Sequence, residues 1–186
     1  MSTWKKIANS ITPVNNEIEF PVTKLGNFAV KKTGEEDLDY LCFTLYDKGT
    51  YGYATIKLEE AIGTNPFPPE MVPKLEYSRD KINWESFPGF VRLDNIGDKV
   101  YFRGDNDHFS YIDEKGKYHI MHFYEGASKG VNISGNVMSL LNSNCSGKTI
   151  PNARCFQDLF DYCGTKTAPK LPATNLTPGC YVGMFE

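Results

Sequence analysis

Between residues 38 and 132 the chain alternates short aromatic-rich segments with turn residues, and this alternation constrains its fold more than any other feature. The segments LCFTL, FVRL, VYFR and KYHIMHFYEG are rich in the aromatic and β-branched residues that favour strands. Turn residues separate such segments about every 8–12 residues, a spacing that is typical of sandwiches. The sequence predicts a mainly β chain, with an antiparallel immunoglobulin-like β-sandwich over residues 32–134.

Two pairs of neighbouring segments have the pattern of β-hairpins. Lys48 and Gly49 separate LDYLCFTLYD from YGYATIKLE, and the polar residues 79–83 separate LEYS from a segment that starts near Trp84. A short turn between two strand-like runs indicates antiparallel neighbours. We therefore expect two hairpins, and we expect Trp84 to be a buried core residue because aromatic side chains dominate sandwich cores.

Residues 1–31 differ from the rest of the chain and predict an extended N-terminal arm. They are rich in Asn, Ser and Thr, and the alternation in EIEFPV predicts a short strand at 17–22. A terminal arm of this kind needs a partner to lie on, so we expect it to dock on another protein. The candidate contact residues are its apolar side chains, Trp4, Ile7, Ile11, Val14, Ile18 and Phe20.

The C-terminal part contains one copy of a repeat and the beginning of another. Cys180 follows Cys155 by 25 residues, and the surrounding segments GCYVGMFE and RCFQDLFD match. Apolar residues three and four apart in NVMSLLNS and NARCFQDLFDYC predict short α-helices. The prolines of the linking segment require an extended connection. Short helices and extended links at a fixed period indicate a leucine-rich-repeat-like segment over residues 135–186.

Three motifs resemble known families. CFQDLFDYC…APKLPATNLTPGCYVGMF resembles the leucine-rich repeats of Treponema and Bacteroides surface proteins. LEYSRDKINWESF and KVYFRGDND are similar to the β-sandwich that often precedes such repeats. The opening STWKKI resembles the start of virion proteins of tailed phages, including crAss-like phages of gut Bacteroidales. These resemblances imply a surface-exposed repeat protein and, more particularly, a virion protein.

Charge and hydropathy argue against several classes of protein. With 20 Lys and Arg against 23 Asp and Glu, the formal charge of −3 does not suit a nucleic-acid binder. No apolar run is long enough to span a membrane, and the N-terminal residues lack the apolar centre of a secretory signal. We therefore expect assembly in the host cytoplasm and localisation in the virion.

No residue pattern indicates a catalytic site, a metal or a cofactor. His119 and His122 are three apart in a predicted strand, so they face opposite sides and cannot share a metal ion. The run DNDHFSYIDE lacks the glycine and the glutamate that an EF-hand loop needs at its sixth and twelfth positions. The five cysteines fit no zinc spacing, and we expect most of them to be buried. They are Cys42, Cys145, Cys155, Cys163 and Cys180.

Tyr51, Tyr53, Asp105 and Asp107 form one possible ligand face. Tyr51 and Tyr53 fall on one side of the predicted strand YGYATI, where they could form a sugar-stacking platform. Asp105 and Asp107 belong to an acidic run that could be a solvated loop or a loose calcium site.

The sequence favours a non-enzymatic virion structural protein. It would be a head fibre, an auxiliary capsid protein or a tail adhesion component. The arm would bind capsid or other virion proteins, the chain would form a homo-oligomer, and a host surface glycan is a candidate ligand. The alternatives are a bacterial cell-surface leucine-rich repeat adhesin and a carbohydrate-binding module.

Overall fold

A computed structural model describes residues 38–185, except 62, 127–129 and 162. The described chain is mainly β, with two antiparallel sheets and almost no helix, as the sequence predicts. The proposed docking arm, 1–31, and its six candidate contact residues lie outside the described residues.

Nine strands form the two sheets. The five-stranded sheet has the order β4-β3-β6-β1-β9, and the four-stranded sheet has the order β5-β2-β8-β7. The strands are β1 (Leu41–Leu45), β2 (Ala54–Glu60), β3 (Glu76–Ser78), β4 (Glu85–Ser86), β5 (Phe90–Leu93), β6 (Lys99–Arg103), β7 (Ser110–Ile112), β8 (Tyr118–Gly126) and β9 (Val131–Ser134). β7 lies within the acidic run DNDHFSYIDE, for which the sequence predicts a loop.

Aromatic side chains from both sheets form the centre of the core. Phe43 of β1 and Phe102 of β6 contact Phe123 of β8, with ring centroids 5.0 and 5.1 Å apart. All three side chains are fully buried. Because the first two belong to one sheet and the third to the other, the sheets pack face to face, which is consistent with a β-sandwich.

One predicted hairpin forms and the other does not. β3 pairs with β4, with Tyr77 opposite Glu85. In contrast, β1 pairs with β6 and β9, whereas β2 pairs with β5 and β8. The connection between β1 and β2 therefore crosses from one sheet to the other. A turn motif shows that the chain reverses, but the burial of both strands decides which sheet each one joins.

Trp84 is not the core residue that the sequence predicts. Its ring is partly exposed and lies just before β4. The ring packs edge-on against Tyr40 at 4.7 Å, and the guanidinium carbon of Arg103 lies 4.2 Å from its centroid. The indole N–H donates to the carbonyl of Lys81 at 3.3 Å. Trp84 thus bridges loop and sheet at the surface of the molecule.

The α-helices predicted for the C-terminal segment are not present in the described residues. A 3₁₀ turn, Val137–Leu140, replaces the first helix, and the Asn136 side chain accepts a hydrogen bond from the Met138 N–H. Consecutive turns replace the second. Arg154 and Asp158 have φ angles of 61° and 53°. A right-handed helix cannot include such residues, so the apolar spacing has another cause.

The spacing of apolar residues in the C-terminal segment results from the stacking of two layers of consecutive turns. Residues 153–161 form the first layer and residues 178–185 the second. The N–H groups of Arg154, Phe156, Asp158 and Phe160 donate to the carbonyls of Pro178, Cys180, Val182 and Met184 over 2.9–3.0 Å. The left-handed positions also recur, at Gly179 (φ 67°) and Gly183 (φ 64°). The sequence period of 25 residues is therefore a structural period.

The turn layers continue the second sheet at the edge of β8. The Phe123 N–H donates to the Leu159 carbonyl at 2.8 Å, and the Cys163 thiol donates to the Phe123 carbonyl at 3.2 Å. Several layer residues belong to the same buried cluster as the strands. Residues 135–185 and the sandwich therefore share one core. These layer residues are Cys155, Phe156, Leu159, Phe160, Cys180 and Met184.

Candidate functional site

The structure does not bring the four candidate ligand residues into one face. Tyr51 and Tyr53 follow β1, whereas Asp105 and Asp107 follow β6. β1 and β6 are antiparallel neighbours, so the chain leaves them at opposite ends of the sheet. The tyrosines and the aspartates are two separate surface regions.

The tyrosine region offers one free aromatic ring. Tyr51 and Tyr53 lie in the turn before β2 rather than in the strand. Tyr51 is 68% exposed. The Tyr53 ring is covered by Arg92, whose guanidinium carbon lies 3.8 Å from the ring centroid and whose Nε donates to Asp94 at 2.6 Å. Of the two predicted stacking rings, the Tyr51 ring is therefore the one that is available to a ligand.

The aspartate region borders a polar cleft of about 420 Å³. Three of the charged side chains along this cleft are engaged in hydrogen bonds within the protein. Arg103 Nε donates to Glu76 Oε2 at 2.7 Å. The Asp105 carboxylate accepts hydrogen bonds from the backbone N–H and the hydroxyl of Ser143, at 2.8 and 2.9 Å. Asp105 therefore ties the loop after β6 to the segment after the 3₁₀ turn.

A histidine–tyrosine cluster holds the proline-rich loop before β3. The rings of Tyr111 and His119 stack with centroids 4.6 Å apart, and His108 lies 5.4 Å from Tyr111. Ring nitrogens of His108 and His119 lie 2.6 and 3.0 Å from the carbonyls of Met71 and Pro66. No local pattern of the sequence predicts this cluster, because it depends on contacts between the loop and β7–β8.

The remaining histidine lies on the other face of β8. His122 is buried, and its Nε2 lies 3.8 Å from Glu59 Oε1. Burial lowers the pKa of the imidazole, against an opposing effect of the Glu59 charge. His119 and His122 thus face opposite sides of the strand. The described residues contain no group of three or more His, Cys, Asp or Glu side chains that could hold a metal ion.

The cysteines are free thiols, and Cys155 and Cys163 lie in an environment that disfavours the thiolate. Cys42, Cys155 and Cys180 are buried, whereas Cys145 and Cys163 are partly buried. Burial raises the pKa values of Cys155 and Cys163 to about 12. Since a thiolate is the nucleophilic form of cysteine, neither side chain is arranged for nucleophilic catalysis.

Three loop carboxylates act as acceptors for the backbone of their own turns. Asp80 accepts from the N–H groups of Ile82 and Asn83, both at 2.8 Å. Asp98 and Asp113 each accept two backbone N–H groups in the same way. These hydrogen bonds lower the pKa of all three carboxyl groups. The polar chemistry of these loops therefore serves to fix their conformation.

Comparisons with protein-family models, with curated proteins and with solved structures find no match to the chain. Within the part of the chain that the structure describes, no helix has the length and apolar character that a membrane crossing requires.

Proposed function

We infer that the chain is a non-enzymatic structural protein that is displayed on the particle of a tailed phage. The observation that carries this inference is the use of its polar side chains to fix loops. Asp105 holds Ser143, and His108 holds the Met71 carbonyl. Asn106 joins Lys74 to Leu140. Such networks lock the loops in single conformations, which suits a projecting rigid module.

The covered edge of the five-stranded sheet also supports a structural role on the particle. β9 is an edge strand, but the chain after the first turn layer covers it. The Ile133 N–H donates to the Thr165 hydroxyl, and the Thr167 hydroxyl donates to the Ile133 carbonyl. The Lys170 N–H donates to the Gly135 carbonyl at 2.6 Å. Covered edges prevent uncontrolled strand pairing between copies. A protein displayed at high local concentration needs this protection.

In this proposal residues 1–31 dock on capsid or other virion proteins and the sandwich projects from the particle. An extended arm can bind a neighbouring subunit by strand addition and by burial of single apolar side chains. The sequence motif STWKKI connects the arm with virion proteins.

Peptide mass spectrometry on two gradient-purified fractions of the source culture tests the proposal. The fractions are phage particles and bacterial outer membranes. We expect abundant peptides of this chain in the particles, and we expect deletion of residues 1–31 to abolish incorporation while circular dichroism shows a folded sandwich. Peptides confined to the outer membranes would reject the virion role in favour of the surface adhesin.

The exposure of Tyr51 favours one second candidate, a carbohydrate-binding module. A ring that is 68% exposed beside the Tyr53–Arg92 pair is available for stacking on a sugar face. Host glycans titrated against the purified chain would bind the unchanged protein and not Tyr51→Ala if this candidate were correct. Equal binding by both proteins, or none by either, would reject it.

A further inference from the structure

The two turn layers are stacked with a single polarity. The first layer directs the N–H groups of four alternate residues toward the second layer, and the second layer directs carbonyls back. The contact between the sandwich and the first layer has the same direction, because the Phe123 N–H of β8 donates to the Leu159 carbonyl of the first layer. Each layer therefore accepts on the side of the sandwich and donates on the side away from it.

The outer side of the second layer presents the corresponding donors. Positions 25 residues after the donors of the first layer are Gly179, Tyr181, Gly183 and Phe185. Among the described residues no acceptor lies opposite their N–H groups. Two further backbone donors of this stretch, Cys180 and Val182, bond within their own turns, to Thr177 and Gly179.

The same outer side exposes apolar side chains. Phe185 stacks on Phe160 with ring centroids 5.5 Å apart, yet 44% of Phe185 is exposed, against 1% of Phe160. Val182, in the same layer, is 49% exposed. We call the four donors, together with Phe185 and Val182, the outer face of the second layer.

We propose that the outer face of the second layer binds a third turn layer of the same sequence type. The third layer presents a row of carbonyls to the four N–H groups and aromatic and aliphatic side chains to Phe185 and Val182. A segment with the pattern of GCYVGMF meets both requirements, since in this chain that pattern already does so against the first layer.

The direction of the backbone hydrogen bonds argues against two other occupants of this face, a second copy of this chain and a small anion. Two copies of this chain that met through this face would oppose donor to donor, and the carbonyls of Pro178, Cys180, Val182 and Met184 already accept from the first layer. Backbone donors without acceptors are costly to bury. A single small anion does not match the face either, because the donors belong to alternate residues along a row and apolar side chains surround them.

Amide hydrogen exchange on the full chain tests this inference, which does not depend on the virion proposal. A second copy of residues 162–186, placed directly after Glu186, supplies the third layer at high effective concentration and in register. We expect exchange at Gly179, Tyr181 and Gly183 to slow by at least about tenfold. A scrambled copy of the same composition is the matched control and should give no protection.

A synthetic peptide of the same sequence, added to the unchanged protein, tests supply from a separate polypeptide. Protection of the same amides that saturates with peptide concentration, and that Phe185→Asp abolishes, would support the proposal. Unprotected amides in the duplicated chain would overturn it. Protection that instead depends on the concentration of the unchanged chain, or on added inorganic phosphate, would also overturn it, in favour of self-association or anion binding.

Discussion

Phe160 and Phe185 are equivalent residues of successive turn layers, and their rings stack with centroids 5.5 Å apart and an angle of 26° between their planes. Phe123 extends this column into the sandwich, since its ring stacks on Phe160 at 6.1 Å. A second column runs beside it, from Phe109 through Phe156 to Tyr181. Both columns begin in the core of the two sheets, so they join the repeat to the sandwich.

The position of a phenylalanine within the column determines its contribution to stability. We expect Phe160→Ala to lower the free energy of unfolding by about 3–5 kcal/mol, because it leaves a cavity in the core. Phe185→Ala removes a ring that is only about half buried and should cost about 1 kcal/mol. Urea denaturation of both variants provides the comparison. Equal losses would show that Phe185 is covered in solution.

Replacement of glycine at a left-handed position of the second turn layer should introduce backbone strain. Gly179 has a φ angle of 67°, so Gly179→Ala should cost about 1–2 kcal/mol through backbone strain. Val182→Ala, at an exposed position of the same layer, is the control and should change stability by about 0.5 kcal/mol or less. Thermal unfolding of the two variants measures the difference. A harmless Gly179→Ala would contradict the layer geometry.

Trp84 should contribute less to stability than a core tryptophan. The edge-on contact with Tyr40 and the Arg103 guanidinium over the ring each account for roughly 1 kcal/mol. We therefore expect Trp84→Ala to cost about 2 kcal/mol in urea denaturation, below the 3–5 kcal/mol that is typical of a fully buried aromatic. Arg103→Ala should remove part of this contribution, and a double-mutant cycle would measure the coupling.

Acid should destabilise the protein in two ranges of pH. Burial lowers the pKa of His122, so its unfolded form binds protons more readily and stability falls as the pH drops through about 6.5. The pKa values of Asp80, Asp98 and Asp113 are also lowered. Their contribution is complete above the unfolded value of about 4 and is lost as the pH falls through the folded pKa values.

Urea midpoints measured between pH 8 and pH 2.5 would show both ranges. His122→Leu should remove the first loss, and Asp80→Ala should reduce the second. Glu114→Gln, at an exposed position beside Asp113, is the control and should leave the profile unchanged. A profile that Asp80→Ala does not alter would mean that its turn is held by other contacts.

Local patterns of the sequence predicted the strands well. The segment KYHIMHFYEG corresponds to β8, and the turn at residues 79–83 joins β3 to β4. Aromatic content, alternation and turn residues are properties of short segments, and strand formation depends on them. The crossing from β1 to β2 was not predictable in this way, because a turn motif does not specify the partner of either strand.

The C-terminal segment illustrates a different limit. Apolar residues three and four apart occur both in an α-helix and in the turn layers, so spacing alone could not distinguish them. The glycines at 179 and 183 contained the missing information, since they recur at the left-handed positions of Arg154 and Asp158. The four residues of the candidate ligand face do not lie together. The tyrosines follow β1 and the aspartates follow β6, and the two strands are antiparallel, so their ends lie at opposite sides of the sheet.

The sequence by itself determined the mainly β class, the strand segments and the 25-residue period. Each depends on interactions between near neighbours or on a repeat that is visible in the residues. The tertiary structure alone decided which strands pair, that the repeat forms turn layers on the edge of β8, and that Asp105 and His108 bind loops. These depend on contacts between residues far apart in the chain, which burial of the shared core selects.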